Sequence, residues 1–272
     1  MHRREFVTAS IAAAAASRDG ARAAEGDAQA TDSAKGALGP RLLELRRYRL
    51  RFGAPQARFT DYAKILVPAL SRAGVSPVGA FTLMVGPDNP SVYLLLSHPN
   101  ADSLRTLRDR LAGDPGYAKA AEPFRTLPAT DPLYVGREST LMVPFETMPD
   151  VELPKGPAAS PSRVFELRVY ASHSEAAGLK KVEMFEKAGE IAIFRRVGLN
   201  PIFFGRNVAG PVLPSLSYML AFADVAAREK AWTAFREDPE WTKLSTTAGY
   251  TNAEILTTTS NWLLRPTDYS QI

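Results

Sequence analysis

The chain has 272 residues, of which 45% are hydrophobic and 23% are charged, and this composition is typical of a globular protein. It contains no cysteine, which excludes disulfides, thiolate metal sites and a cysteine nucleophile. The formal net charge is only +4 without a basic run, and no stretch reaches the roughly 20 apolar residues of a membrane helix, so neither nucleic-acid binding nor a membrane span is predicted.

The N-terminus is predicted to be an export signal. It reads "MHRREFVTASIAAAAASRDGARAAEG", with Arg3 and Arg4 adjacent, an apolar run after them, and a small-x-small cleavage pattern that ends at residue 23. This order resembles a twin-arginine signal. We therefore expect residues 1–23 to be cleaved off, residues 24–39 to be a flexible spacer, and the mature protein to be periplasmic or secreted. The alternative is an amphipathic or disordered tail.

The rest of the chain contains one pattern twice. "LELRRYRL" at 43–50 corresponds to "FELRVY" at 165–170, and "AGVSPVGAF" at 73–81 corresponds to "VGLNPIFFG" at 197–205. The dipeptide Asp-Pro also recurs in the same relative place, at 114 and at 238. Because these landmarks keep their order and nearly their spacing, the sequence predicts one fold used twice.

Each copy reads as strand, helix, strand, strand, helix, strand, which is the ferredoxin-like order. In the first copy the predicted strands are 42–50, 77–85, 91–97 and 134–145, with helices at 58–73 and 101–112. In the second copy the predicted strands are 163–170, 201–206, 216–222 and 253–266, with helices at 174–198 and 225–238. The proline-rich segment 146–162 has no periodicity and is predicted to link a first unit at 40–145 to a second unit at 163–272.

The second copy resembles the NIPSNAP family. The resemblance is carried by "FELRVY", "KKVEMFEKAGEIAIFRRVGLNPIFFG", "YMLAFADVAAREKAWTAFREDPEWTKL" and "NWLLRPTDYS", and it covers nearly all of 163–270. The first copy matches less closely, because Tyr117 stands where the second copy has Trp241. The resemblance implies an α+β fold of the dimeric α/β-barrel type, formed here by two units of one chain as an intrachain pseudo-dimer. It implies no agreed catalytic mechanism.

Polar side chains on the first strand of each copy form the candidate ligand-binding site. Strand alternation places Phe165, Leu167 and Val169 on one face and the polar residues on the other. If the apolar face lies under the helices, the polar face lines the space between the two sheets. The candidate residues are Glu44, Arg46, Tyr48, Glu166, Arg168 and Tyr170. Two interpretations remain open: the arginines pair with the glutamates and fix strand register, or they hold a carboxylate or phosphate ligand.

Other chemistry has less support in the sequence. His98 and His173 are expected on loops at strand ends, and neither has the spacing of a metal site. No metal or cofactor is predicted, since nucleotide-binding glycine loops are also missing. The basic residues at 180–181 and 195–196 lie about four turns apart and are expected to form a solvated helix face. Trp232 and Trp241 are expected to pack a helix against the sheet.

The sequence predicts an exported module for small-ligand binding or protein association, without identified catalytic residues. The expected partners are a small anionic or organic ligand and further copies of the chain. The alternative is a cofactor-independent enzyme, of the monooxygenase, isomerase or lyase type, that acts on a small organic substrate in the barrel cavity. Cavity size separates the two: a barrel filled by side chains argues against catalysis, and an open pocket favours it.

Overall fold

Both copies fold as β-α-β-β-α-β units in the computed structural model, which describes residues 41–272. The predicted signal peptide and spacer lie outside the described residues. The strands are β1 Leu42–Arg49, β2 Val78–Val85, β3 Ser91–His98, β4 Gly136–Pro144, β5 Val164–Ala171, β6 Asn200–Ala209, β7 Ser215–Phe222 and β8 Thr258–Pro266. The helices are α1 Ala54–Arg72, α2 Ala101–Ala112, α3 Pro115–Arg125, α4 Glu175–Glu186, α5 Glu190–Arg196, α6 Val225–Glu237, α7 Pro239–Ser245 and α8 Asn252–Ile255.

The eight strands close into one antiparallel barrel in the order β1-β3-β2-β8-β5-β7-β6-β4. Within the first unit the order is β4-β1-β3-β2, and within the second it is β8-β5-β7-β6. The two seams join the second strand of one unit to the fourth strand of the other: Leu83 pairs with Leu264 at one seam, and Val143 pairs with Arg206 at the other. The predicted fold class, two ferredoxin-like units that form a barrel within one chain, is therefore confirmed.

The helix boundaries follow local signals that the predicted ranges missed in part. α1 begins at Ala54 rather than 58 because Pro55 lies in its first turn, where a missing N–H leaves no hydrogen bond unmade. The helix predicted for 174–198 is interrupted, because Gly189 adopts a φ of 94° between α4 and α5. The repeated Asp-Pro dipeptides begin α3 and α7, where each aspartate caps the helix and each proline occupies the first turn.

Three apolar clusters form the core. One lies between α1–α3 and the first unit's sheet, and a second lies between α4–α7 and the other unit's sheet. The third fills the inside of the barrel with strand residues from both units, including Phe81 and Phe165, whose ring centroids are 4.8 Å apart. Because both faces of the barrel wall are covered, all residues of β3 and β7 are buried, and their sequences show little alternation.

One end of the barrel is closed by chain segments outside the strands. Ile272 is buried within the barrel cluster, together with Ala158 from a 3₁₀ turn in the linker. The segment that carries Ile272 is fixed to β2, because Gln271 exchanges two hydrogen bonds with the backbone of Val78. The opposite end, where β1 and β5 finish and where β4 and β8 begin, has no such plug among residues 41–272. Within the same described range, no helix combines the length and the apolar character that crossing a bilayer requires.

Candidate functional site

The predicted polar residues lie on the outer face of the barrel wall, beneath the helices. Leu167 belongs to the cluster inside the barrel, whereas Tyr170 belongs to the cluster under the second unit's helices. The expectation that Glu44, Arg46, Tyr48, Glu166, Arg168 and Tyr170 face the space between the sheets is therefore wrong. A buried carboxylate needs hydrogen-bond donors, and on the outer face Glu166 obtains them from α6 and its own strand, while Glu44 obtains them from β1, β3 and β4. A ligand-binding role for these residues stays a prediction.

In the second unit, the buried carboxylate of Glu166 accepts four hydrogen bonds. Arg168 Nη1 donates to Oε1 over 2.9 Å, and Arg228 of α6 donates to both oxygens over 2.8 and 2.9 Å. Trp232 Nε1 donates to Oε2 over 2.6 Å, and the Arg168 guanidinium lies 4.5 Å from the Trp232 ring centroid. Trp232 therefore packs against the sheet as predicted and also donates a hydrogen bond to a buried carboxylate.

In the first unit, Glu44 occupies the equivalent position with different donors. Arg46 donates to both carboxylate oxygens over 2.7 and 2.8 Å, and Ser139 of β4 donates over 2.8 Å. His98 Nε2 lies 3.2 Å from Oε2. His98 is fully buried as the last residue of β3, so its predicted placement on a loop is wrong. Burial would raise the pKa of Glu44, but the hydrogen bonds from His98 and Arg46 lower it to about 2.

The two tyrosines of the candidate set make contacts within the protein core. The Tyr170 hydroxyl is 2.7 Å from that of Tyr218, and burial raises the pKa of both. Tyr48 packs against Phe59 of α1 with ring centroids 4.9 Å apart. Together with the saturated carboxylates, these contacts favour the structural interpretation: Arg46 and Arg168 each pair with a glutamate of their own strand, and the glutamates in turn bond to neighbouring strands or to α6.

A buried ion pair lies close to Arg168. Lys181 Nζ of α4 donates to Glu190 Oε2 of α5 over 2.7 Å, and both side chains are almost fully buried. Burial lowers the pKa of Lys181 and raises that of Glu190, while their mutual attraction opposes both shifts. The expectation of a solvated helix face is therefore wrong for Lys181. The break in the helix at Gly189 is what lets α5 turn its first residue toward α4.

The unplugged end of the barrel contains a cavity of about 380 Å³. Every strand except β2 contributes to its lining. Its apolar part is formed by Leu45, Leu167, Val169, Tyr93 and Trp262. None of the six predicted site residues lines it, because the lining uses the opposite parity on β1 and β5. We refer to this space as the mouth cavity.

The two carboxylates at the mouth cavity, Asp88 and Glu138, are balanced by Arg47 and by Arg49, which lies 3.9 Å from Glu138. Arg47 donates to Asp88 over 2.9 Å and to Glu138 over 2.7 Å, so its guanidinium joins β1 to β4 and to the β2–β3 turn. Burial lowers the pKa of Arg47, but its hydrogen bonds outweigh burial and the net shift is upward. An anionic ligand would have to displace one of these carboxylates, since the described lining offers no second cation.

The uncharged polar groups of the mouth cavity are of two kinds. Asn207 is held at both ends of its amide, donating to Ser215 over 2.7 Å and accepting from Ser217 over 3.0 Å. By contrast, Trp262 Nε1 is buried and has no hydrogen-bond partner within residues 41–272. The buried Tyr93 hydroxyl lies beside Arg47, which can only donate to its oxygen, so its own hydrogen has no acceptor in the same range. Burial raises the pKa of Tyr93 despite the nearby Arg47, so this hydroxyl stays protonated at neutral pH. Unsatisfied buried donors are rare and call for a partner.

The sequence contains no local signal for the mouth cavity. Its residues come from seven strands and one hairpin, and only the register of the closed barrel brings them together. The strand alternation in "FELRVY" gives the correct phase, but phase alone does not say which face is inside. Among residues 41–272, no group of three or more histidine, aspartate and glutamate side chains is placed to hold a metal ion.

Comparisons with known proteins identify both units. The NIPSNAP family profile matches residues 43–149 and 165–271.

A proposed monooxygenase from Lactobacillus acidophilus NCFM has a similar structure, with 9% identity, a TM-score of 0.56, and coverage of 84% of this chain and 94% of that chain. A proposed monooxygenase from Fusobacterium nucleatum gives 8% identity, a TM-score of 0.52, and coverage of 84% and 93%. An uncharacterized NIPSNAP-like domain protein from Burkholderia xenovorans is 22% identical over 41% of this chain and 90% of that chain, with a TM-score of 0.37. No curated protein matches, and the structural similarities show the fold alone.

Glu44 should make the stability of the protein depend on acidity. Its pKa in the folded state, about 2, lies below the usual 4.5, so its contribution is complete above pH 4.5 and is lost as the pH falls toward 2. We expect Glu44→Gln to lower the free energy of unfolding by about 3 kcal/mol at pH 7, and the difference from wild type to shrink toward zero near pH 2. Urea denaturation across this range measures it, with the exposed Glu237→Gln as control. A difference that is independent of pH would contradict the assignment.

Arg168→Ala should destabilise the fold and leave the mouth cavity intact. Removing this guanidinium takes away one donor to buried Glu166, so we expect a loss of about 3 kcal/mol, measured by urea denaturation. Arg105→Ala, which breaks a pair on an exposed helix face, is the control and should change stability by less than about 0.5 kcal/mol. An unchanged melting temperature together with loss of binding to a carboxylate or phosphate ligand would instead support the anion-site interpretation.

Proposed function

This chain belongs to the NIPSNAP family, and from the geometry of its barrel we propose that it binds a small uncharged organic molecule in the mouth cavity. The observation that carries the proposal is an open cavity of about 380 Å³ in a barrel whose other end is plugged. This volume lies within the range of small-molecule sites, which are mostly apolar with a few placed polar groups. The proposal moves the site from the predicted Glu/Arg/Tyr sets to the inside of the barrel.

The charges of the lining support an uncharged ligand. Arg47 already pairs with two carboxylates, so a bound carboxylate or phosphate would have to compete with Asp88 and Glu138. A bound cation would have to compete with Arg47 and Arg49 for the same two carboxylates. An uncharged molecule avoids both losses, since burying an unpaired charge is costly.

The unpartnered donors support a ligand that carries hydrogen-bond acceptors. Trp262 Nε1 can only donate, and the protonated Tyr93 hydroxyl can donate as well. A carbonyl or ether oxygen on a flat apolar body would meet both requirements of the lining. The aromatic rings of the same two residues offer surfaces for such a body.

Catalysis is the second candidate, and Tyr93 is the observation that favours it. A protonated hydroxyl beside the Arg47 guanidinium can donate a hydrogen bond to negative charge that develops on a ligand oxygen, although its raised pKa makes it a poor source of a proton at neutral pH. The similarity to two proposed monooxygenases is a similarity of fold and adds no residue to this argument. Export through a twin-arginine-type signal remains part of the proposal and rests on the sequence of residues 1–23.

Val169→Trp should fill the mouth cavity and abolish binding. The probe is prodan, an uncharged naphthyl ketone whose fluorescence shifts to the blue in apolar surroundings. We expect wild type to bind prodan and Val169→Trp to bind it at least tenfold more weakly, because the indole occupies the ligand's space. Val225→Trp, which places the same side chain on an exposed helix end, is the matched control and should bind like wild type.

The charge of the ligand is tested with the analogue 6-dimethylamino-2-naphthoate. This molecule keeps the ring system of prodan and replaces its ketone with a carboxylate. We expect it to bind at least tenfold more weakly than prodan, because its carboxylate would have to compete with Asp88 and Glu138 for the Arg47 guanidinium. Tighter binding of the carboxylate, or unchanged prodan binding by Val169→Trp, would contradict the proposed function.

A further inference from the structure

Exposed apolar side chains concentrate around the mouth cavity. In the first unit, Phe52 follows the end of β1, Val85 ends β2, and Tyr134 and Val135 precede β4. Phe52 is 73% exposed and Val85 is 64% exposed, which is unusual for side chains of this type. All four lie at the end of the barrel where β1 finishes and β4 begins, as the pairing of Arg49 with Gly136 shows.

The second unit adds apolar side chains to the same end. Val208, Val212 and Leu213 stand exposed in and beside the β6–β7 hairpin. This hairpin lies at the mouth because Ala171, at the end of β5, pairs with Ser215, at the start of β7. The other large apolar side chains that are exposed in residues 41–272 are Leu153, Leu179 and Val225. Leu153 and Val225 lie at the plugged end, near the start of β6 and after the end of β7, whereas Leu179 lies on α4 close to the β6–β7 hairpin. Single exposed apolar residues need no explanation, but a ring of them around one opening does.

Arginines stand among these apolar side chains. Arg51 and Arg137 are exposed and make no ion pair within the described residues, and Arg49 lies 3.9 Å from Glu138. The nearby carboxylates are already paired: Asp88 and Glu138 with Arg47, and Asp131 with Arg58. On the side of the mouth formed by β1 and β4, positive charge is therefore in excess. We call the exposed apolar residues of the mouth, together with Arg49, Arg51 and Arg137, the mouth rim.

We propose that the mouth rim docks onto the surface of an anionic lipid bilayer. Apolar side chains on several loops can enter the interface between headgroups and acyl chains, while arginines beside them pair with lipid phosphates. A second copy of this chain fits the rim less well. Two-fold pairing would bring the same arginines face to face with no unpaired carboxylate between them.

Docking in this orientation turns the mouth cavity toward the lipid. An uncharged, apolar ligand is most concentrated in the bilayer, so it could pass from lipid to cavity without crossing water. The docking itself rests on the rim and holds whether or not the cavity is occupied.

Vesicle flotation with the full-length chain tests the docking. The vesicles contain either phosphatidylcholine alone or phosphatidylcholine and phosphatidylglycerol in equal parts. We expect wild type to float with the anionic vesicles, and we expect high salt to weaken this binding. Two double variants, Val212→Asp/Leu213→Asp and Arg51→Glu/Arg137→Glu, should each bind at least about tenfold more weakly than wild type. Leu153→Asp and Arg105→Glu make the same chemical changes elsewhere on the surface and should bind like wild type.

The N-terminal segment is common to every variant, so differences between variants report the rim alone. Circular dichroism and thermal melting confirm that each variant is folded before flotation. Rim variants that float as wild type does, or a wild type that ignores anionic vesicles, would overturn the proposal. A dimer in light scattering that the rim substitutions dissociate, without lipid binding by wild type, would assign the rim to a second copy instead.

Discussion

Closure of the barrel is the constraint on which the rest of this structure depends. Each unit alone would be a four-stranded sheet with an apolar face and two open edges, and such edges invite pairing with other chains. Joining β2 to β8 and β4 to β6 removes the edges of both sheets and buries their apolar faces against each other. Because the units lie in one chain, closure needs no second molecule and the two ends of the barrel are free to differ.

That freedom is visible in how the ends are built. At one end, Ile272 and Ala158 complete an aromatic and aliphatic core around Phe81 and Phe165. At the other end, the interior side chains become smaller and more polar, as with Thr140, Ser217 and Ser260, and the mouth cavity opens between them. The outer face carries the buried carboxylates instead, and their donors come from α6 for Glu166 and from neighbouring strands for Glu44.

The topology was predictable from the sequence because the repeat is a local pattern read twice. Which face of each strand lies inside the barrel was not predictable. "FELRVY" belongs to a barrel wall whose two faces are both buried, so the polar side chains lie on the face where hydrogen-bond donors are near and not on a face that meets solvent. The burial of Lys181 depends on Gly189, which breaks the helix and brings Glu190 within 2.7 Å. The mouth cavity depends on strand register across both seams, and no window of the sequence contains that register.

A crystal structure of the protein with bound prodan tests the central claim most directly, since that claim concerns where a ligand sits. We expect the naphthyl ring inside the barrel, lying against Leu167 and Trp262, with the ketone oxygen accepting a hydrogen bond from Tyr93 or Trp262. The four hydrogen bonds to Glu166 should be unchanged. A ligand found instead between β5 and the helices, with Arg168 displaced from Glu166, would contradict the account and restore the predicted Glu/Arg/Tyr set as the binding site.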